Sequence, residues 1–380
     1  MPRSLSHVRY RARGASRSAP PPYPAAMSRG TVVVKIGSST LVDARGRARP
    51  RVFAQVAADV AALTAAGTPV VVVSSGAIAM GLGSLGREQR SRRLPELQAA
   101  SAIGQSLLLR RWEAALDRKG LRCAQVLLTV GDIHRRDGYL NARRTLETLL
   151  RWGRVPVVNE NDSTATDEIT FGDNDALAAQ VAVLLRARLL VLLTDIDGLH
   201  DRDPRRPGAV PIGEVDDHGL LERLELDGGG SSWGSGGMRS KLVAAEMAST
   251  GGVAAVIASG HRPGALAAAA AGGAGGTRFR PDPRPLSAYK LWVRYGKPVH
   301  GRLEVDAGAK RAVVGNGTSL LAVGLLAVEG TFAAGDAVHI CRSGEPFAVG
   351  LSRYAAADLR QLVGTRGVDE AVHRDNLVVL

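Results

Sequence analysis

"TVVVKIGSST", Thr31 to Thr40, is a β-branched run with one lysine inside it and a Gly-Ser-Ser turn at its end. The run is short and continuous rather than alternating. That predicts a strand buried on both faces, as in a parallel sheet, opening into a tight polar loop. Outward from it, "RVFAQVAADVAALTAAG", 51–67, reads as a helix closed by Gly67 as C-cap, and "TPVVVVSSGA", 68–77, as a second strand with small residues at its end.

The alternation continues. "GLRCAQVLLT" (120–129), "VPVVNEND" (155–162), "RLLVLLTDIDGL" (188–199) and "VAAVIASG" (253–260) are strand candidates. "YLNARRTLETLLRWG" (139–153), "DNDALAAQVAVLLRA" (173–187) and "SKLVAAEMASTGG" (240–252) are helix candidates between them. Strands alternating with helices predict an α/β fold, a three-layer αβα sandwich around a mostly parallel sheet. Ligands of such sheets gather at the carboxyl ends of the strands. Small and polar residues cluster there, at Gly37-Ser38-Ser39, Ser74-Ser75-Gly76, Asn159 to Asp162, and Thr194-Asp195.

The pattern stops near residue 265, where "ALAAAAAGGAGGTRFRPDPRP" reads as a helix end running into a Gly/Pro linker. Short strand-like pieces follow, "HGRLEVDAGA", "TSLLAVGLLAVEG", "DAVHICR" and "PFAVGLSRY", separated by Gly-containing turns as in a small β-barrel. The expected division is a disordered leader at 1–28, an α/β domain at 29–270, a linker at 271–294 and a β-rich domain at 295–380.

Of the 380 residues, 45% are apolar and 22% charged, a globular balance. The net charge of +13 is weak support for nucleic acid, because Arg3, Arg9, Arg11, Arg13, Arg17 and Arg29 within the first thirty residues supply about half of it. That leader has no apolar core of a secretory signal, and its composition also suits an organellar transit segment or translation from upstream of Met27. Cys123 and Cys341 lie far apart without metal-ligand spacing, and no apolar run is long enough to cross a membrane, so a cytoplasmic protein is expected.

"GLGSLG", Gly81 to Gly86, fits the dinucleotide pattern G-x-G-x-x-G, but the preceding strand ends about seven residues earlier, so it is read as a decoy. Lys35 inside an apolar strand is either an edge lysine reaching water or a cation aimed at a phosphate, with the N–H groups of Gly37 and Ser38 beside it. "NENDSTATDEITFGDNDAL" concentrates Glu160, Asp162, Asp167, Glu168, Asp173 and Asp175. A solvated loop is the plain account of most of these acids. Interleaved with Asn159, Asn161 and Asn174, they also suit an amino-acid backbone or a metal. "SSWGSGGMRSK", Ser231 to Lys241, reads as a Gly-rich linker or as an anion loop leading into a helix N-terminus.

Together, "VVVKIGSST", "VVSSGAIAMG", "VPVVNENDS", "FGDNDALAA", "LLTDIDGL" and "GSGGMRSKLVAAEMA" resemble the amino-acid kinase superfamily, and within it the glutamate 5-kinases. The C-terminal segment resembles a PUA domain. The resemblance implies ATP-dependent phosphorylation of the side-chain carboxylate of L-glutamate, with Mg²⁺ accompanying ATP, as the first step towards proline. It implies a glutamate site at Ser75, Asp162 and Asn174. It implies an ATP site at Lys35, Gly37, Ser38, Thr194, Asp195, Ser235, Gly236, Gly237, Met238, Arg239, Ser240 and Lys241. Lys35 and Lys241 would flank the transferring phosphoryl group, with Asp175 orienting both. Proline feedback and a dimer or tetramer are implied by the same likeness. Another small-acid kinase of this superfamily is the nearest rival reading, and an RNA-binding PUA protein is the rival from a different class.

Overall fold

A computed structural model describes residues 30–87, 93–164, 173–202, 208–215, 237–273 and 275–380. The first strand is β1 (Val32–Ile36), followed by the single turn α1 (Ser38–Leu41) and the helix α2 (Pro50–Ala65). Gly67, with φ +77°, lies one residue past the α2 cap, Ala66, and turns the chain into β2 (Val70–Ser74). Next come α3 (Ala77–Ser84), α4 (Leu94–Asp117), β3 (Arg122–Leu128), α5 (Val130–His134), α6 (Arg136–Arg151) and β4 (Arg154–Glu160). Then follow α7 (Asp173–Leu184), β5 (Leu189–Thr194), a hairpin of β6 (Leu199–His200) and β7 (Pro211–Ile212), and β8 (Glu214–Val215). The α/β part closes with α8 (Met238–Thr250), β9 (Ala254–Ser259), α9 (Ala265–Ala270) and β10 (Thr277–Phe279).

These strands form one sheet in the order β3-β4-β2-β1-β5-β9-β10-β8. From β3 through β9 every pairing is parallel, and β10 joins antiparallel to β9. The order runs outward in both directions from β1, so the carboxyl end of β1, between β2 and β5, is the switch point of the sheet. Val32, Val34 and Ile36 of β1 pack with α2, α3, α4 and α9 on one face. Val33 packs with α6, α7 and α8 on the other. The continuous apolar run is explained by this two-sided burial: alternate side chains of β1 feed two different cores.

The expected linker is structured in part. Thr277 to Phe279 pair with β9, because an edge strand of the α/β sheet offers unpaired backbone groups that a short β-forming segment can satisfy. Helix α10 (Ala288–Tyr295) then places Leu291 in the α/β core and Val293 against the C-terminal sheet. The C-terminal unit contains β11 (Val299–Val305), α11 (Ala307–Asn316), β12 (Leu325–Gly330), β13 (Ala337–Arg342), β14 (Glu345–Leu351), α12 (Ala356–Gln361) and β15 (Leu377–Val379). Its five-stranded sheet runs β12-β11-β13-β14-β15 around a separate core that includes Leu303, Val338 and Ile340. Among the described residues no helix is long and apolar enough to cross a membrane.

Two glycines of "GLGSLG", Gly81 and Gly83, serve packing. Gly81 and Gly83 lie within α3, where a Cβ on Gly81 would sit 1.9 Å from the Ala100 carbonyl oxygen of α4. Across the same crossing, a Cβ on Gly104 would sit 1.7 Å from the Ala77 carbonyl oxygen. Gly104→Ala therefore has to push α3 and α4 apart. The expected loss is about 1–3 kcal/mol in the free energy of unfolding, measured by chemical denaturation.

Candidate active site

Strand geometry decides where Lys35 points. Its neighbours in register are Val73 and Leu192, both of which face the core beneath α7 and α8. Asp175 lies in the first turn of α7 and Lys241 in the first turn of α8, so two helix starts meet the Lys35 side chain. The Lys35 ammonium is 2.5 Å from Asp175 Oδ1, and that of Lys241 is 3.5 Å from Asp175 Oδ2. Lys35 is 4% exposed, Lys241 6% and Asp175 0%. The Ser240 hydroxyl is placed to donate to Asp175 Oδ2 at 2.8 Å or to the Gly237 carbonyl at 2.9 Å, and Lys241 donates to the same carbonyl at 3.4 Å.

Two ammonium groups share one carboxylate in this enclosure, leaving an excess of one positive charge. Burial pushes the Lys35 ammonium down, assisted by the nearby Lys241 charge and only partly countered by Asp175. For Asp175, burial acts to raise the carboxyl. The charges of Lys35 and Lys241, with hydrogen bonds from Lys35 and Ser240, outweigh it and hold the group below the usual carboxylate range. Gly37 adjoins the centre: a Cβ there would lie 3.8 Å from Lys35 Nζ. Gly237, the N-cap of α8, has no side-chain cap, and the N–H groups of the first turn of that helix share its favourable end for an anion.

The second cluster is attached to the first through α7. Asn174 Oδ1 accepts the Glu160 N–H at 3.2 Å, at the end of β4, while the next residue, Asp175, reaches Lys35. Asn159 Oδ1 also accepts from the Glu160 N–H, at 2.9 Å. Asp162, buried just beyond β4, accepts a 2.7 Å hydrogen bond from Ser101 of α4. Ser75 follows β2, and its N–H donates to the Ile36 carbonyl at 3.1 Å, which brings it level with the end of β1. Gly76, with φ +110°, makes the bend into α3 there.

Thr194 ends β5, with Leu193 paired to Ile36 of β1. Its carbonyl accepts from the Gly260 N–H at 2.6 Å, and its hydroxyl donates to the exposed Asp195 carboxylate at 2.9 Å. Ser38 begins α1 beside this level. Met238 packs on the α/β core and Arg239 is exposed. Ser235 and Gly236 lie outside the described residues, as do Asp167 and Glu168. The solvated reading of the acidic stretch is corrected at Glu160, Asp162 and Asp175, all buried: Glu160 ends β4, Asp162 sits in the turn just past it against α4, and Asp175 lies in the first turn of α7.

Sequence reading missed Ser101 and Gln105 of α4 and Gln125 of β3. Gln105 Nε2 donates to the Glu160 carbonyl at 3.1 Å, and Gln125 Nε2 to Gln105 Oε1 at 3.3 Å. Their polar side chains are scattered along elements whose packing partners only the fold reveals.

Residues 30–259 match the amino acid kinase family, and residues 301–374 match the PUA domain. The chain is 45% identical over 364 residues to a glutamate 5-kinase of Synechococcus sp. (strain JA-2-3B'a(2-13)), covering 92% of this chain and 98% of that one. It is 46% identical over 365 residues to a glutamate 5-kinase of Sphingopyxis alaskensis, covering 92% and 97%. Among solved structures, carbamate kinase from Giardia lamblia bound to AMP-PNP superposes with a TM-score of 0.51 at 16% identity, covering 67% of this chain and all of that one. This last likeness concerns the fold alone. With the buried lysine pair at the switch point of a parallel sheet and a family match across most of the α/β domain, the chain belongs to the amino acid kinase family and carries a PUA domain after it.

Proposed function

We propose that the chain transfers the γ-phosphoryl group of ATP to the side-chain carboxylate of L-glutamate, releasing ADP and γ-glutamyl phosphate. The observation that carries this reading is the first turn of α7. Asn174 there reaches the acidic strand end of β4, and Asp175 pairs with the two buried lysines, so a residue proposed to hold the acceptor and the carboxylate of the cationic centre share one helical turn. The glutamate 5-kinases named above, similar over more than nine-tenths of this chain, point to the same substrate.

In this reading Ser75, Asp162 and Asn174 hold glutamate, with the Asp162 carboxylate suited to the substrate ammonium. ATP lies against Lys35, Gly37, Ser38, Thr194, Asp195 and the segment from Ser235 to Lys241. Carboxylate and γ-phosphate are both anionic, so their approach is the main electrostatic obstacle. Lys35 and Lys241 offset it and stabilise charge on the transferring oxygens, and alignment supplies the rest without a protein nucleophile. Mg²⁺ accompanying ATP would supply further neutralisation of the phosphate charge. A dry centre with excess positive charge fits such a polyanion.

Hydroxamate trapping tests substrate and reaction together. Glutamate and ATP should yield the γ-hydroxamate, with acetylglutamate and aspartate as competing acceptors. Trapping only with one of those two would overturn glutamate as the substrate. Cytoplasmic residence, proline competition at the glutamate site and assembly into dimers or tetramers belong to the same proposal.

A pH dependence follows from Lys35. Its ammonium is held below the ordinary lysine value of about 10.4, so deprotonation on the alkaline side removes positive charge from the site early. The alkaline limb of kcat/KM for ADP formation should lie below that value, as a pH–rate profile would record.

A further inference from the structure

We propose that Ser101 is a positioning residue for the acceptor site, acting through Asp162 from a helix that the phosphoryl chemistry does not touch. The inference rests on the reading of Asp162 as a glutamate ligand. Asp162 lies two residues past the end of β4, outside the ladder that orders the strand. A short carboxylate on such a turn has several rotamers open to it. Ser101 is fully buried, and its hydroxyl donates to Asp162 Oδ2 at 2.7 Å.

The donor is itself held on a rigid element. Gly104 fixes the height of α4, because its backbone meets that of Ala77 so closely that a Cβ has no room. Gln105, one helical turn from Ser101 and so on the same face, donates to the Glu160 carbonyl at 3.1 Å and accepts from Gln125 at 3.3 Å. From the opposite side Asn174 accepts the Glu160 N–H at 3.2 Å. The end of β4 is thus clamped between α4 and α7, and Ser101 is the part of the clamp that addresses the ligand side chain. A charge-assisted bond from a preorganised donor selects one orientation of the carboxylate before substrate arrives.

The test is steady-state kinetics of the full chain with Ser101→Ala, Ser101→Cys and Ser101→Thr. Ala and Cys lack the hydroxyl donor and should raise the KM for glutamate about tenfold, with the KM for ATP and kcat changed less than about threefold. Thr keeps the hydroxyl and should return the glutamate KM towards that of the parent. In an Asp162→Asn background, Ser101→Ala should add little further increase, because the bond it removes has already been altered. A glutamate KM unchanged in both Ala and Cys, with the parent active, overturns the positioning role. So does a parallel rise in both KM values with a lowered melting midpoint, which a purely structural serine would give. A parent chain without glutamate-dependent ADP formation overturns the functional reading and this inference with it.

Discussion

Lys241→Ala is expected to lower glutamate-dependent ADP formation by about 100- to 1000-fold while the protein stays folded. The position explains both halves of the result. Lys241 is in the first turn of α8, buried and 3.5 Å from Asp175, beside the groups proposed to face the phosphate. Without it the Lys35–Asp175 pair is left without the second cation, and the charge developing on the transferring phosphoryl oxygens loses a donor in a dry site. Alanine is an excellent helix residue, and its introduction removes a buried ammonium rather than stranding one. Turnover measured by coupled ADP release, with the melting midpoint as control, decides the matter. Near-normal turnover in a folded variant would remove the mechanism.

Asp175→Ala should act on stability as well as rate. It leaves two buried ammonium groups, Lys35 and Lys241, facing each other without the carboxylate that pairs both. Stripping one partner from a buried ion pair costs about 3–5 kcal/mol, so the variant should unfold at distinctly lower denaturant concentration. ATP should raise its melting midpoint more than it raises that of the parent, since a polyanion supplies part of the missing charge. Equal unfolding free energies for variant and parent would contradict the charge arrangement. The pH sign follows from the lowered carboxyl of Asp175. Its contribution is complete above the unfolded value of about 3.9 and is lost as the pH falls through the folded-state value.

Much of the α/β part was legible because its signals are local. Continuous β-branched runs such as Val70 to Val73 cannot be half-exposed without wasting apolar surface, whereas the helices α3 and α4 that follow this one were not read from the sequence. The strand-end rule pointed to Ser38, Ser75, Asn159 to Asp162 and Thr194, whereas Lys35, Asn174, Asp175, Ser240 and Lys241, which the contacts described above join, sit inside a strand or in the first turns of helices and were singled out by their motifs and the family resemblance. The segment 271–294 was harder. Its glycines and prolines mask three residues that pair with β9 and a helix, α10, whose two faces join different cores.

The amino-acid sequence by itself determined the alternation of most strands and helices of the α/β part, though not α3 or α4, together with the change of texture after residue 265 and the residue types at each strand end, all properties of neighbours along the chain. Only the tertiary structure decided that Lys35 faces α7 rather than α2, that Gly81 of "GLGSLG" admits α4, and that Ser101 reaches Asp162. Each depends on which helix covers which face of the sheet, and that is set by burying two cores at once rather than by any local preference.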